Sequence, residues 1–248
     1  GLLIKNKPIL RGLKFVQIDE FYPLNPNQHN SFYNYVCEYY INGFGLDSKK
    51  ALLINSDKIP LVNGKNRKQI FPDHRIDLTL RFRDATSKVE EEQQESILLI
   101  DQWCAEYENK IRSMGGIGFF LGGIGPDGHI AFNVRGSDHN STTRLTGTNF
   151  ETQAAAATDL GGIEISRNRL VITIGLGTIT YNPDATGIII AAGEAKSKII
   201  KNSLEHAPDV KYPATALAKL KKSCFYITNG AGKLLADFER DYWENSEW

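Results

Sequence analysis

Short apolar runs with a regular rhythm constrain this chain more than any other feature. They fall at 15–18, 117–121, 170–174, 188–192 and 224–228, each closes at or near a glycine or a carboxylate, and helix-like stretches follow. Runs this short are better strands than buried helix segments, and their continuous apolar character suits strands covered on both faces. Strands that alternate with helices predict an α/β fold: a three-layer, doubly wound, mostly parallel sheet of Rossmann-like type. With 248 residues, 41% of them apolar, the chain can bury a sizeable core, and a single domain over 1–248 is expected.

One helix is legible in detail. Ile97, Ile100, Cys104, Tyr107 and Ile111 recur at three and four residues and form one apolar stripe, with Ser87 and Glu90 as a possible capping box upstream. Further helices are expected from about Glu194, directly after GIIIAAG, and around Leu234, Leu235 and Phe238. Residues 57–95 break the rhythm with Pro60, Gly64, Pro72 and a charged DHRIDLTLRFRD stretch; they read as an insertion, by default a solvated surface excursion.

Lys plus Arg equals Asp plus Glu at 29 each, so no global field favours nucleic acid or an anionic membrane, and any anion must be held by a local site. Cys37, Cys104 and Cys224 are scattered and lack metal-ligand spacing. They read as buried thiols of a reducing, cytoplasmic compartment. No run is long enough to span a membrane and the first residues carry no secretory pattern.

Chemistry concentrates in FFLGGIGPDGHIAFN, residues 119–133. An apolar strand runs into a turn containing Gly122, Gly123, Gly125 and Gly128, which delivers Asp127 and His129 two residues apart. Glycines let a backbone approach a ligand closely, and the carboxyl ends of parallel strands are the usual ligand crevice. A carboxylate beside an imidazole holds its tautomer and tunes a proton shuttle. A second strand end, VQIDEFYPL, carries Asp19 and Glu20 straight off a buried run. Partial desolvation would raise one carboxyl and make it a base, or both cap the next turn; the residues alone leave these two readings open.

GGIGPDGHIAFN resembles the signature of the glucosamine-6-phosphate deaminase (isomerase) family, and IDEFY is similar to its second, aspartate-bearing motif. ENKIRSMGGIGFFLGG, TIGLGT and AAGEAKSKII follow in the family's order. The resemblance implies a sugar-phosphate isomerase-type α/β fold and an enzyme that converts an amino-sugar phosphate to a ketose phosphate and ammonia, with no metal or redox cofactor. It implies Asp19 as the base between C2 and C1, Asp127 and His129 as the pair assisting ring opening, and Lys196 as a phosphate ligand. Gly122, Gly123, Gly125 and Thr178, with Gly175 and Gly177, would line the crevice. Asp19, Asp127 and His129 are expected to converge there. The expected partner is a phosphorylated amino sugar, with a homo-oligomer as the assembly and no role for nucleic acid or membrane.

The chain departs from the pattern at Val134, where the resemblance places a ring-opening glutamate that would orient His129. The family's N-terminal strand and Gly-Gly phosphate loop are expected to be missing from this chain. Two alternatives follow: a catalytically weakened domain that binds a sugar phosphate, and a 6-phosphogluconolactonase, a related family with a histidine in a similar GPDGH turn.

Overall fold

The computed structural model describes residues 12–160, 166 and 168–236. In chain order the strands are β1 (Phe15–Val16), β2 (Asp19–Tyr22), β3 (Ala51–Leu52), β4 (Phe119–Gly123), β5 (Arg144–Thr146), β6 (Leu170–Thr173), β7 (Thr186–Ala191) and β8 (Lys222–Ile227). The α-helices are α1 (Phe32–Tyr35), α2 (Arg67–Ile70), α3 (Lys88–Ser113), α4 (Phe150–Leu160), α5 (Leu176–Ile179) and α6 (Ser197–Glu205). All the apolar runs read from sequence contribute strand residues. Contacts divide the chain into two compact units, the first from residues 1–114 and 142–174 and the second from 115–141 and 175–248.

In the first unit β1 pairs with β3 in parallel, while β2 and β5 flank β6 in an antiparallel ladder. Helix α3 organises this unit. Its stripe of Ile97, Ile100, Cys104, Tyr107 and Ile111 is buried as the spacing requires, and each such aliphatic side chain contributes roughly 1.5–3 kcal/mol. Ser87 caps the helix by accepting from the Glu90 backbone N–H at 3.2 Å. The reciprocal half of the expected capping box is absent, because the Glu90 carboxylate accepts instead from Thr86 N–H and from Arg83.

Residues 57–95 contain no strand; short 3₁₀ turns, α2 and the start of α3 from Lys88 build this stretch. It is not a solvated excursion. Ile59, Leu61, Val62, Ile70, Phe71 and Leu80 are buried, and the backbone is tied to α3. Val62 N–H donates to Ser96 Oγ, and the side-chain amides of Gln93 and Gln94 donate to the carbonyls of Ile70 and Leu80. The charges that suggested solvation sit at the rim, as in the Lys65–Glu92 pair at 2.6 Å.

The second unit holds a parallel sheet in the order β4-β7-β8. Phe120, Ile189 and Ala191 are buried on one face, where Leu217 and Leu220 approach Gly187. Phe119, Leu121, Ile190 and Tyr226 are exposed. These strands are therefore not covered on both faces among the described residues. Cys224 lies on the exposed side and Cys37 is half-buried, so only Cys104 is the buried thiol expected of all three. After β7 the chain makes a 3₁₀ turn, Glu194–Lys196, and enters α6, close to the helix start expected at Glu194. Residues 231–236 form turns, and Phe238 of the last expected helix lies outside the described residues. No helix among the described residues is long and apolar enough to cross a membrane.

Candidate functional site

Strand β4 delivers the glycine-rich turn. Gly122 and Gly123 are its last residues, opposite Ile189 and Ile190 of β7. The turn closes through Gly125 N–H to the His129 carbonyl at 2.9 Å and Gly128 N–H to the Gly125 carbonyl at 3.1 Å. Two glycines are required by the geometry. A Cβ at Gly125 would lie 2.0 Å from His129 Cε1, and Gly128 has φ +87°, where side chains are strained. The turn thus folds so that the imidazole lies over bare backbone.

Asp127 is 2% exposed and fixes that imidazole. One carboxylate oxygen lies 2.5 Å from His129 Nδ1. The other accepts the Arg135 backbone N–H at 2.9 Å. The His129 ring also stacks on Phe132, with centroids 6.1 Å apart. A short, charge-capable contact of this kind holds one tautomer and directs Nε2 to other chemistry. Asp127 thus supplies a carboxylate to the His129 ring where residue 134 is a valine. The role of Arg135 was not legible in the sequence, because a backbone N–H carries no residue signal.

Lys196 joins this constellation. Its ammonium reaches back from the start of α6 to the Ile124 carbonyl, within the same turn, at 2.7 Å. Burial pushes its pKa below the ordinary lysine value, and the Asp127 charge opposes that shift. An ammonium has three N–H donors, and this bond uses one. Thr178 is occupied differently: its hydroxyl accepts the Gly175 N–H at 3.1 Å in the first turn of α5. Gly177 N–H donates to the Ser141 carbonyl. Both residues shape the loop before α5.

Asp19 belongs to the first unit. It opens β2, opposite Thr173 of β6. Burial, and after it the charge of Glu20, pushes its carboxyl up to about 8. The same burial, then the Asp19 charge, raises the neighbouring Tyr107 phenol, whose hydroxyl donates to the carbonyls of Gln17 and Leu52. Glu20 resolves the ambiguity between base and cap. Its carboxylate accepts Ser31 Oγ at 2.7 Å and the backbone N–H groups of Tyr33, Phe21 and Phe32. Burial still raises its pKa, against these hydrogen bonds. Glu20 caps the start of α1 alongside Ser31, and Asp19 is left as the candidate base.

No family model matches the chain. A glucosamine-6-phosphate deaminase of Borrelia garinii subsp. bavariensis is 34% identical over 150 residues, which cover 57% of this chain and 55% of that protein. A glucosamine-6-phosphate isomerase of Candida albicans is 39% identical over 136 residues, 54% of each protein. The chain spans about half the length of the curated relatives it matches. Among solved structures, a monomeric glucosamine-6-phosphate deaminase superposes with a TM-score of 0.68 at 21% identity, covering 94% of this chain and 79% of its own. The 6-phosphogluconolactonase of Trypanosoma cruzi gives 0.59 at 16% identity, with 95% and 79% covered. These likenesses show an α/β fold shared with both enzyme groups. Over the matched half of those relatives' length, this chain is similar in sequence to proteins named glucosamine-6-phosphate deaminase or isomerase.

Proposed function

We propose that the protein acts as a glucosamine-6-phosphate deaminase/isomerase, taking an amino-sugar phosphate to a ketose phosphate and ammonia. The observation that carries this reading is the Asp127–His129 pair at 2.5 Å inside a turn built for close approach. With Nδ1 against Asp127, Nε2 is the nitrogen assigned to protonate the ring oxygen as the cyclic sugar opens. Asp19 is assigned the proton that moves between C2 and C1; a carboxyl raised to about 8 is a stronger base than an ordinary aspartate and suits that step. Moving the C2 proton to C1 while the C1 aldehyde oxygen takes up a proton to become a hydroxyl turns the C2 amine into an iminium, which water hydrolyses to the ketone with release of ammonia and the proton. Lys196 is assigned to the phosphate, using the donors that the Ile124 carbonyl leaves. Gly122, Gly123 and Gly125 are assigned to substrate approach.

The same reading takes 1–248 as one deaminase-like domain with an insertion at 57–95, acting in the cytoplasm as a homo-oligomer. Its test is incubation with glucosamine 6-phosphate at neutral and alkaline pH, with ammonia and ketose phosphate measured together. Stoichiometric appearance of both supports the assignment. Retained binding of the sugar phosphate with no ammonia replaces it by a sugar-phosphate-binding domain. Hydrolysis of 6-phosphogluconolactone without deamination replaces it by the lactonase.

A further inference from the structure

The first unit contains a group of cationic and phenolic side chains that the proposed reaction does not use. Tyr22, at the end of β2, is 0% exposed, and its hydroxyl is buried with no hydrogen-bond partner among the described residues. Arg67 opens α2 with a side chain 11% exposed; one terminal nitrogen pairs with Asp57, while its Nε is buried with no partner among the described residues. Contacts along the chain bring the two segments together: Ser56 Oγ donates to the Leu24 carbonyl, two residues past Tyr22, and the adjacent Asp57 pairs with Arg67. The Arg67 charge bears on the Tyr22 phenol, after burial.

Arg169 completes the group. The β2–β6 ladder sets Tyr22 opposite Leu170, so Arg169 falls beside the end of β2, and its guanidinium donates to the Pro23 carbonyl. Burial, then the Arg67 charge, pushes the Arg169 guanidinium below its ordinary value. Ring desolvation, followed by the charges of Arg169, Arg67 and Lys68, likewise lowers nearby His74, with Asp73 opposing. Two guanidinium groups and the Tyr22 phenol are thus tied to the segment at the end of β2, and Tyr22 OH and Arg67 Nε are buried without a partner among the described residues.

Burying an unpaired donor costs free energy, and holding like charges together adds to the cost, so such a cluster calls for an acceptor-rich occupant. A guanidinium fork matches the oxygens of a phosphate or carboxylate and does so better than any neutral ligand. We propose that Tyr22, Arg67 and Arg169 form an oxyanion-binding site for a phosphate group, built entirely within the first unit. It does not involve Lys196.

The test is calorimetric titration of the full chain with inorganic phosphate, in wild type and in Lys196→Ala, so that any phosphate held in the second unit is removed from the count. Binding should persist in Lys196→Ala, weaken about tenfold or more in Arg169→Gln, and weaken severalfold in Tyr22→Phe. Phosphate should also raise the melting temperature of wild type more than that of Tyr22→Phe, because only the wild type gains a partner for its buried hydroxyl. Arg67→Gln strips Asp57 of its partner and can unfold the unit, so the other two variants carry the test. Loss of all phosphate binding in Lys196→Ala would overturn the proposal, as would unchanged affinity in both Arg169→Gln and Tyr22→Phe. Equal stabilisation by chloride at matched ionic strength would overturn it too. A comparison of glucosamine 6-phosphate with inorganic phosphate in the Lys196→Ala background then tells whether the group is taken free or on a sugar.

Discussion

Asp19 and Asp127 are the same residue type at two strand ends, yet the chain treats them in opposite ways. Asp127 is held on both oxygens, by the His129 ring and the Arg135 N–H. Asp19 is desolvated beside a second carboxylate and its pKa rises to about 8. A carboxylate fixed by donors is suited to orient another group; one deprived of them is suited to accept a proton. The difference comes first from burial, which desolvates the Asp19 carboxyl, and then from Glu20, which takes the donors of the α1 start and adds charge repulsion.

The sharpest way to break this division is Asp19→Asn. An amide keeps the shape but cannot accept the C2 proton, so turnover to ammonia and ketose phosphate should fall by roughly 10²–10⁴-fold, the range of general acid–base assistance. Sugar-phosphate affinity should hold. Unchanged turnover would remove Asp19 from the mechanism. Asp127→Asn should cost less, roughly 10²-fold, because the imidazole remains but loses the charge that fixes its tautomer. Steady-state rates for the two variants, measured together, should rank them in that order.

A pH titration separates the two carboxylates further. The Asp19 pKa is raised from 3.8 to about 8 on folding. Between these values the unfolded chain has lost the proton that the folded chain keeps, so ionisation penalises the fold and stability falls as pH rises through the window. Activity should move the other way, rising toward pH 8 as the base becomes available. Asp19→Asn should flatten the stability profile in chemical denaturation at a series of pH values; an unaltered slope would place the titration elsewhere. A smaller effect is expected for Glu20→Gln. Weakening charge-assisted bonds to Ser31 and the α1 backbone should lower stability by about 1.5–3 kcal/mol, and losing the Glu20 charge should lower the Asp19 pKa, moving the rise in rate to lower pH.

Features set by spacing and backbone sterics were readable from sequence. The α3 stripe, the glycine turn and the Asp127–His129 proximity all follow from local rules that no distant contact overrides. Features that depend on who supplies the acceptor or the cover were not. Glu90 could have closed a capping box, but Arg83 and Thr86 claim its carboxylate. The charged 57–95 stretch looked solvated because its apolar residues are spaced irregularly; Gln93, Gln94 and Ser96 of α3 take up its backbone groups and allow it to be buried. The Thr178 hydroxyl accepts the Gly175 N–H, a local bond that its residue type alone does not announce.

Val134 is the last point at which the two strand ends can be compared, and it carries the smallest expected effect. The sequence pattern places a carboxylate at this position to orient His129, which would make Val134→Glu a modest gain, at most roughly 10²–10⁴-fold. The geometry already gives the imidazole one carboxylate: Asp127 contacts Nδ1 at 2.5 Å and is itself anchored by Arg135 N–H. A second carboxylate could add at most one ordinary hydrogen bond to an imidazole already held, worth no more than about tenfold in rate. It would also bring a further negative charge near Asp127, which has to be desolvated or left facing water. Val134→Glu should therefore change ammonia release from the cyclic substrate by less than that factor, and should leave conversion of the open-chain sugar, which depends on Asp19, unaltered. A gain on the scale of the Asp19→Asn loss would show that Asp127 alone does not orient the imidazole, and would shift the positioning role to residue 134.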